Sequence, residues 1–537
     1  MPRLSVVLKR SLIFVHRWLG VTLSALFLLW FVSGIVMMYW SYPEVTAQDR
    51  LRRLPGLDPA VVQLNGEEAG ARLGLDGPSD ELRLTSFHGR PVYRLGDGRG
   101  RRAGASPTVV YADTGGEGRA VDSDMIDRAA SRWSGRPPGE ATKEHVEEVD
   151  QWTVGALRSV RPLFKYSWAD GQQVYVNGRT GEVVQHTTTA SRFWAYLGAI
   201  PHWLYFTPLR KHQQEWFSVV VYSSLAGTVA ALLGVVIIIW MYSPRKRYRH
   251  AGVPTAIPYK GWKRWHAIMG LFFGVITTTW AFSGLLSMGP FPVMDRLTHL
   301  TTPAEASGSA PPPNLAAALQ GAADLPWSAY SAKHPREAIA ELGQFEVKEL
   351  EFTSFAGRAV YLASNGYETR VVPVSGTARA GFDPEDIMRV VREAAGGRVS
   401  ELILMREYDA YYLDRRAGRP LPVVYVRMND AVGSRYYIDP ATARIVGAYD
   451  RRDWVSRWLY HGLHSLDLPW LYKHRPLWDI VVITLMLGGT ALCMTSIVLT
   501  WRVVARKLAA IVRARFDFPD EDLVIEPPRV GDRRSQV

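Results

Sequence analysis

Cysteine is almost missing: the chain of 537 residues has one, Cys493. A lone thiol excludes an internal disulfide, and without C-x-x-C-H or a set of thiolates there is no covalent c-type haem and no iron–sulfur cluster. A P-loop, an H-E-x-x-H pair and a G-x-S-x-G elbow are also missing. The glycine-rich GDGRGRRAG at 96–104 sits in a strand-and-turn region with no apolar helix after it, so it is not a dinucleotide fingerprint. The chain therefore has no flavin or nicotinamide domain of its own.

Charge is missing in four places. Residues 18–43, 216–242, 267–294 and 480–501 contain no Asp, Glu, Lys or Arg. Each run reaches the roughly 20 residues that a helix needs to cross about 30 Å of hydrocarbon. We read four transmembrane helices. The first run is too long for a signal peptide and ends in MMYWSYP rather than at a small-residue cleavage site, so it is expected to stay attached. Lys and Arg crowd the short flanks: Arg3, Lys9 and Arg10 ahead of the first run, RKRYRH at 245–250, and WRVVARKLAAIVRAR after the fourth. This bias places both termini and the central loop in the cytoplasm, and two long insertions outside. The net charge of +12 is largely these flanks, and no nucleic-acid motif accompanies it.

Two halves of the chain follow one plan. His16, Gly20, Trp30, Ser33 and Gly34 recur at constant offset as His266, Gly270, Trp280, Ser283 and Gly284. PHWLYFTPLRKHQQEW precedes the second run and LHSLDLPWLYKHRPLW the fourth, superposing His202 on His464, His212 on His474 and Trp216 on Trp478. TSFHGRPVY matches TSFAGRAVY, and RPLFKYSWADGQQVYVNGRTGEVV resembles RPLPVVYVRMNDAVGSRYYIDPATARIVG. Alternating strands, turn signals and helices such as DPEDIMRVVREA make each insertion an α+β module. The expected fold is a membrane α-helical bundle with a two-fold internal repeat and two outward-facing α+β domains. In order, the chain reads as an N-terminal flank (1–10), first membrane helix (11–42), first module (43–192), interfacial segment (193–215), second helix (216–242) and cytoplasmic loop (243–264). The third helix (265–290), second module (291–453), second interfacial segment (454–477), fourth helix (478–502) and tail (503–537) follow. ASGSAPPP at 306–313 reads as a linker, and the tail from FDFPDEDL onward as disordered.

The strand pattern G-x-x-V-Y … D/N-x-x-T-G-E resembles PepSY domains. Its insertion between an HRWLG helix and an HWLYFTPLR or LHSLDLPWLY segment resembles the PepSY-associated transmembrane family over nearly the whole chain. That family includes inner-membrane ferric-siderophore reductases with b-type haem. The resemblance implies a bacterial inner membrane with two PepSY-like periplasmic domains, haem b, electron transfer and a role in iron uptake.

A polar side chain inside the bilayer needs a partner in the protein, which makes His16 and His266 site candidates. If the halves face each other across an axis along the membrane normal, these imidazoles become the axial ligands of a bis-His haem. Gly20, Gly270 and Gly274 would let a wide ring come close. His202 and His464 form a second such pair at the outer end, so the expected cofactors are two haems in series, with iron held through His16, His266, His202 and His464. For His212 and His474 three roles stay open: outer ligands, a third haem, or propionate binding together with Arg210, Lys211, Lys473 and Arg475. Trp30 and Trp280 lie mid-helix, where they either pack against a porphyrin or fill the core. His461 has no counterpart. His88, His145, His186, His250, His299 and His334 read as surface residues, and Arg161, Arg415, Arg416 and Arg419 as solvated cations that would also attract an anionic chelate.

The leading reading is a reductase that passes electrons from an external donor, quinol or a cytoplasmic reductase, to a periplasmic acceptor, foremost a ferric siderophore. One electron weakens such a chelate because hard oxygen ligands favour ferric iron. The alternative is a non-catalytic PepSY protein for envelope sensing or protease regulation. A metal transporter ranks last, because acidic residues are missing from the helices.

Overall fold

The computed structural model describes residues 2–79, 82–95, 109–118, 121–289, 314–321, 325–414 and 418–516. The expected linker at 306–313, the tail beyond 516, the glycine-rich 96–104 stretch, His299, Arg415 and Arg416 lie outside them.

Four helices are long and apolar enough to cross a membrane, over Val6–Met37, Gln213–Met241, Gly261–Leu286 and Leu477–Val512. A helix is the one open segment that satisfies every backbone N–H and C=O internally, so an uncharged run of this length in lipid has no other regular form. The first and fourth helices, Pro2–Met37 and Leu477–Phe516, continue into their basic flanks, since Leu, Lys and Arg are good helix formers. There Lys9 lies 5.2 Å from the Trp240 ring and Lys507 4.4 Å from the Trp18 ring, both as cation–π contacts.

Two compact units divide the chain. One comprises residues 1–35, 222–282 and 483–537, the greater part of the membrane helices. Glycines set its packing: a Cβ added at Gly488 would lie 2.2 Å from the Phe273 ring, and one at Gly489 2.3 Å from the Phe31 ring. Small residues on one helix thus admit aromatic rings from others. Strands β8 (Tyr248–His250) and β9 (Val253–Thr255) form a hairpin in the loop between the second and third helices.

The second unit, residues 36–221 and 283–482, carries the remaining sheets. The first insertion supplies β1 (Leu82–Phe87), β2 (Arg90–Leu95) and β3 (Val109–Tyr111), then β4 (Thr142–His145), β5 (Leu163–Ser167), β6 (Gln173–Asn177) and β7 (Val183–Thr187). The second supplies β10 (Glu349–Phe355), β11 (Arg358–Ser364) and β12 (Thr369–Pro373), then β13 (Val399–Met405), β14 (Val423–Met428), β15 (Arg435–Asp439) and β16 (Arg444–Tyr449). The matching TSFHGRPVY and TSFAGRAVY segments are the β1–β2 and β10–β11 hairpins. Their turns put His88 and Gly89 at φ 50° and 88°, and Ala356 and Gly357 at φ 49° and 76°. Both central residues are left-handed, as a two-residue turn that follows strand twist requires.

The insertions do not stand apart as two modules. β1 pairs antiparallel with β10, Arg83 opposite Glu351 and Thr85 opposite Glu349, giving one six-stranded sheet in the order β12-β11-β10-β1-β2-β3. Its core is joint: Leu82, Leu84 and Tyr93 from the first insertion and Leu350, Phe352 and Tyr361 from the second belong to one buried cluster. At its margins β3 is bridged at Val110 to Glu117 and β12 at Val371 to Arg379, so the chain folds back over both edge strands.

What each insertion keeps to itself is a helix over a four-stranded meander. Ser123–Ser134 is capped by Asp122 and packs Ile126 and Ala130 against Val174 and Val176 of β4-β5-β6-β7. Pro384–Ala395 is capped by Asp383 and packs Ile387 and Val391 against Val424 and Val426 of β13-β14-β15-β16. Short helices at Thr189–Leu197, Ala199–Trp203 and Thr207–Arg210 lead to the second membrane helix. A π-helical turn at Arg457–Gly462 and a helix at Pro469–Tyr472 lead to the fourth. Leu204 and Leu466, two residues after His202 and His464, adopt left-handed φ of 52° and 51°.

Candidate functional site

The histidines predicted to act as ligands meet in two facing pairs, one in each unit. In the membrane-helix unit the His16 and His266 ring centres lie 6.1 Å apart, inclined by 37°. His16 Nδ1 is 2.8 Å from the Ala230 carbonyl oxygen. A carbonyl only accepts, so Nδ1 carries the hydrogen and the lone pair falls on Nε2. His266 Nδ1 is 3.1 Å from the Thr495 hydroxyl, which donates its own hydrogen to the Leu492 carbonyl at 2.7 Å. Nδ1 of His266 is therefore also a donor, and its lone pair too is on Nε2.

Beside the pair is a cavity of about 330 Å³, lined among others by His16, His266, Gly20, Gly270, Tyr259 and Lys263. Its size falls within the roughly 300–1,000 Å³ of small-molecule pockets. A Cβ at Gly20 would meet nothing within 4 Å, and one at Gly270 only Leu492 at 4.0 Å, so these glycines border open space. Gly274 lines the cavity too, but a Cβ there would lie 2.9 Å from the Val235 side chain. Gly234 is tighter still: a Cβ there would lie 2.7 Å from the His16 ring, so a side chain would push the imidazole aside.

In the second unit the His202 and His464 ring centres lie 6.2 Å apart at 66°. His464 Nδ1 is 3.1 Å from the Ser283 hydroxyl, and the Tyr460 ring stacks on His464 at 5.3 Å and 19°. Gly284 leaves room for that imidazole, with a Cβ there 3.6 Å from it. His461 is half-exposed, 3.8 Å from the carboxylate of the buried Asp467.

His212 and His474 are both exposed, and His474 Nδ1 lies 2.5 Å from the Trp470 carbonyl oxygen. Around them the cations divide. Lys211 pairs with Glu148 at 2.7 Å, Lys473 with Glu407 at 2.8 Å, and Arg475 bonds Asp479 at 2.7 Å. The two lysines hold Glu148 and Glu407 below the usual carboxylate range. Arg210 is buried instead against the Tyr205 and Trp216 rings at 5.0 and 4.4 Å, and its Nε and Nη1 have no hydrogen-bond partner among the described residues. Trp280 is buried against Phe31, ring centres 5.7 Å apart, and Trp30 is half-buried beside Phe27 at the same distance. Neither tryptophan lines the cavity, which favours their core-packing role.

Other polar positions were not singled out by the sequence pattern. Tyr175 donates to Asp150 at 2.5 Å and Tyr437 to Asp409 at 2.7 Å, while the other oxygen of each aspartate accepts backbone N–H groups of the following turn. The recurring Glu-x-Asp of EEVDQ and REYDA was the available signal. Of the histidines read as surface residues, His186 lies on β7, and His334 caps the helix Pro335–Glu341 by accepting from the Arg336 N–H.

Four spanning helices, sheet domains between them and paired histidines define a polytopic membrane protein with a candidate ligand site in each unit. The PepSY-associated TM region family matches residues 13–401, and the chain belongs to that family. No curated protein matches it.

Proposed function

We propose that this protein is a haem b electron-transfer protein of the bacterial inner membrane that reduces a periplasmic acceptor, foremost a ferric siderophore. The carrying observation is the separation of the two histidine pairs, 6.1 and 6.2 Å between ring centres. With metal–imidazole bonds of about 2 Å on each side and roughly 1 Å from each nitrogen to its ring centre, two imidazoles on opposite sides of one metal come about 6 Å apart. The residues fit the group: His16 and His266 would hold one haem, His202 and His464 another. Gly20 and Gly270 border space beside the first pair, and Arg210 has donors available for a propionate. When bound, haem supplies one-electron chemistry at a potential tuned by its axial ligands and their hydrogen bonds.

The chain's own residues supply position. Ala230 and Thr495 hold His16 and His266 in the Nε2 lone-pair tautomer, and Ser283 and Tyr460 orient His464. The equal offsets of the two histidine sets, the matched hairpins and the paired left-handed leucines support a two-fold internal repeat with PepSY-like periplasmic domains. The basic flanks support cytoplasmic termini, and the donor is external, quinol or a reductase.

A reduced-minus-oxidised spectrum of the detergent-purified protein, with a pyridine haemochrome count, tests this. A b-type spectrum with two haems per chain, partly lost in His16→Ala and again in His202→Ala, supports the reading. A colourless protein from haem-replete cells overturns it and favours a non-catalytic envelope sensor or protease regulator.

A further inference from the structure

The sheet unit has a second cavity that the histidine pairs do not use. It measures about 360 Å³ and, among the described residues, is lined by seven arginines against three glutamates, an excess of four positive charges. It exists because the insertions share a sheet: Arg83 and Arg94 stand opposite each other on β1 and β2, and Arg83 faces Glu351 on β10. Cross-strand like charges repel, so the floor needs its carboxylates. Arg94 is salt-bridged to Glu182 at 2.5 Å, Arg83 to Glu349 at 3.4 Å, and Arg444 grips Glu351 with bonds of 2.6 and 3.0 Å.

Those glutamates are consumed by the floor. Arg50, Arg128 and Arg132 also line the cavity, and none has a carboxylate within ion-pair distance among the described residues. Arg83 Nε is buried with no hydrogen-bond partner among the described residues, a donor left over in the floor itself. His88, at the same cavity, is held below its ordinary pKa by burial and then by Arg128 and Arg132, so these guanidiniums act on the cavity's electrostatics rather than on bulk water alone. The remaining wall includes Trp133, Phe87, Leu51 and Leu362, which gives an apolar side to a cationic pocket.

Guanidinium forks match planar or tetrahedral oxyanions with two bonds each, and a pre-organised set of several selects ligands with more than one such group. We propose that this cavity is a binding site for a small, multiply charged oxyanion, a polycarboxylate or a phosphate ester, recognised by Arg128, Arg132, Arg50 and Arg83. The site does not depend on haem.

The test is isothermal titration of the full detergent-purified chain with citrate, ferric citrate and pyrophosphate at about 0.15 M salt, where surface charges are screened beyond roughly 8 Å. Saturable one-to-one binding of any of the three is expected, weakened by roughly tenfold or more in the Arg128→Ala/Arg132→Ala double variant. Both side chains are exposed, so that variant should keep its melting temperature and its haem spectrum. Preference for citrate over pyrophosphate, or the reverse, identifies the oxyanion. Tighter binding of ferric than free citrate assigns the site to the chelate. Failure of all three to bind, or equal binding by the double variant, overturns the proposal, whatever the spectrum shows.

Discussion

His266 is held by Thr495: its Nδ1 donates to a hydroxyl 3.1 Å away that is itself committed to the Leu492 carbonyl. A ligand histidine whose second nitrogen is fixed in this way keeps one tautomer and one ring orientation, and outer partners of this kind typically contribute 10–100-fold in metal affinity. Thr495→Val keeps the shape and removes the acceptor. We expect roughly that loss in haem affinity at the His16–His266 site and a shifted midpoint potential, measured by haem titration and potentiometry, with the His202–His464 signal unchanged.

Gly20 borders open space, so a large side chain there fills the place the proposed ligand needs. Gly20→Phe should remove about half of the haem absorbance while His202→Ala removes the other half. Stoichiometry in the double variant near zero is the expected result. Full haem content in Gly20→Phe would show that the glycine-lined cavity is not where the cofactor sits.

His334 caps its helix by accepting at Nδ1 from the Arg336 N–H while Nε2 donates to the Gln63 carbonyl, an arrangement only the neutral imidazole can make. Burial, and then Arg336, lowers its pKa. A histidine with a depressed folded pKa contributes stability that is complete above the unfolded value, about 6.5, and is lost as the pH falls from there toward the folded one. Asparagine is a strong cap without a proton to gain. Melting temperatures should fall more steeply below about pH 6.5 in the native protein than in His334→Asn.

Tyr437 is fully buried and donates to Asp409 at 2.7 Å, and burial followed by that carboxylate drives its pKa upward. Tyr437→Phe leaves the aspartate with one partner fewer. We expect a loss of roughly 1–3 kcal/mol, the cost of an unsatisfied buried acceptor, read as a lower denaturation midpoint. An unchanged midpoint would mean that water replaces the hydroxyl.

The first insertion expressed alone, residues 43–192, would expose the β1 edge and lose Leu350, Phe352 and Tyr361 from its core. It should be unfolded by circular dichroism or self-associated on a sizing column, whereas a chain that links both insertions should be monomeric and folded. A folded monomeric fragment would refute the joint core.

The parts legible from sequence were those governed by local rules. Uncharged runs gave the helices, and alternating residues with turn signals gave the α+β character of the insertions. The pairing of His16 with His266 was legible because it rests on an equal offset, a pattern that survives in one dimension. The shared sheet was not, because Arg83 and Glu351 are brought together only by tertiary structure and each hairpin looks complete on its own. The arginine cavity escaped for the same reason: its members are scattered from Arg50 to Arg444 and each alone reads as a solvated cation. His334 was read as a surface residue because a histidine cap lacks the Ser, Thr, Asp or Asn signature of a helix start.

The β1–β10 join also sets a clock on biosynthesis. Glu351 is made 268 residues after Arg83, its partner. At roughly 5–20 residues per second this is on the order of ten to fifty seconds of translation. For that interval β1 waits with one edge open, and two membrane helices must be inserted before its partner emerges. Slowing synthesis between the two insertions should therefore raise the yield lost to proteolysis.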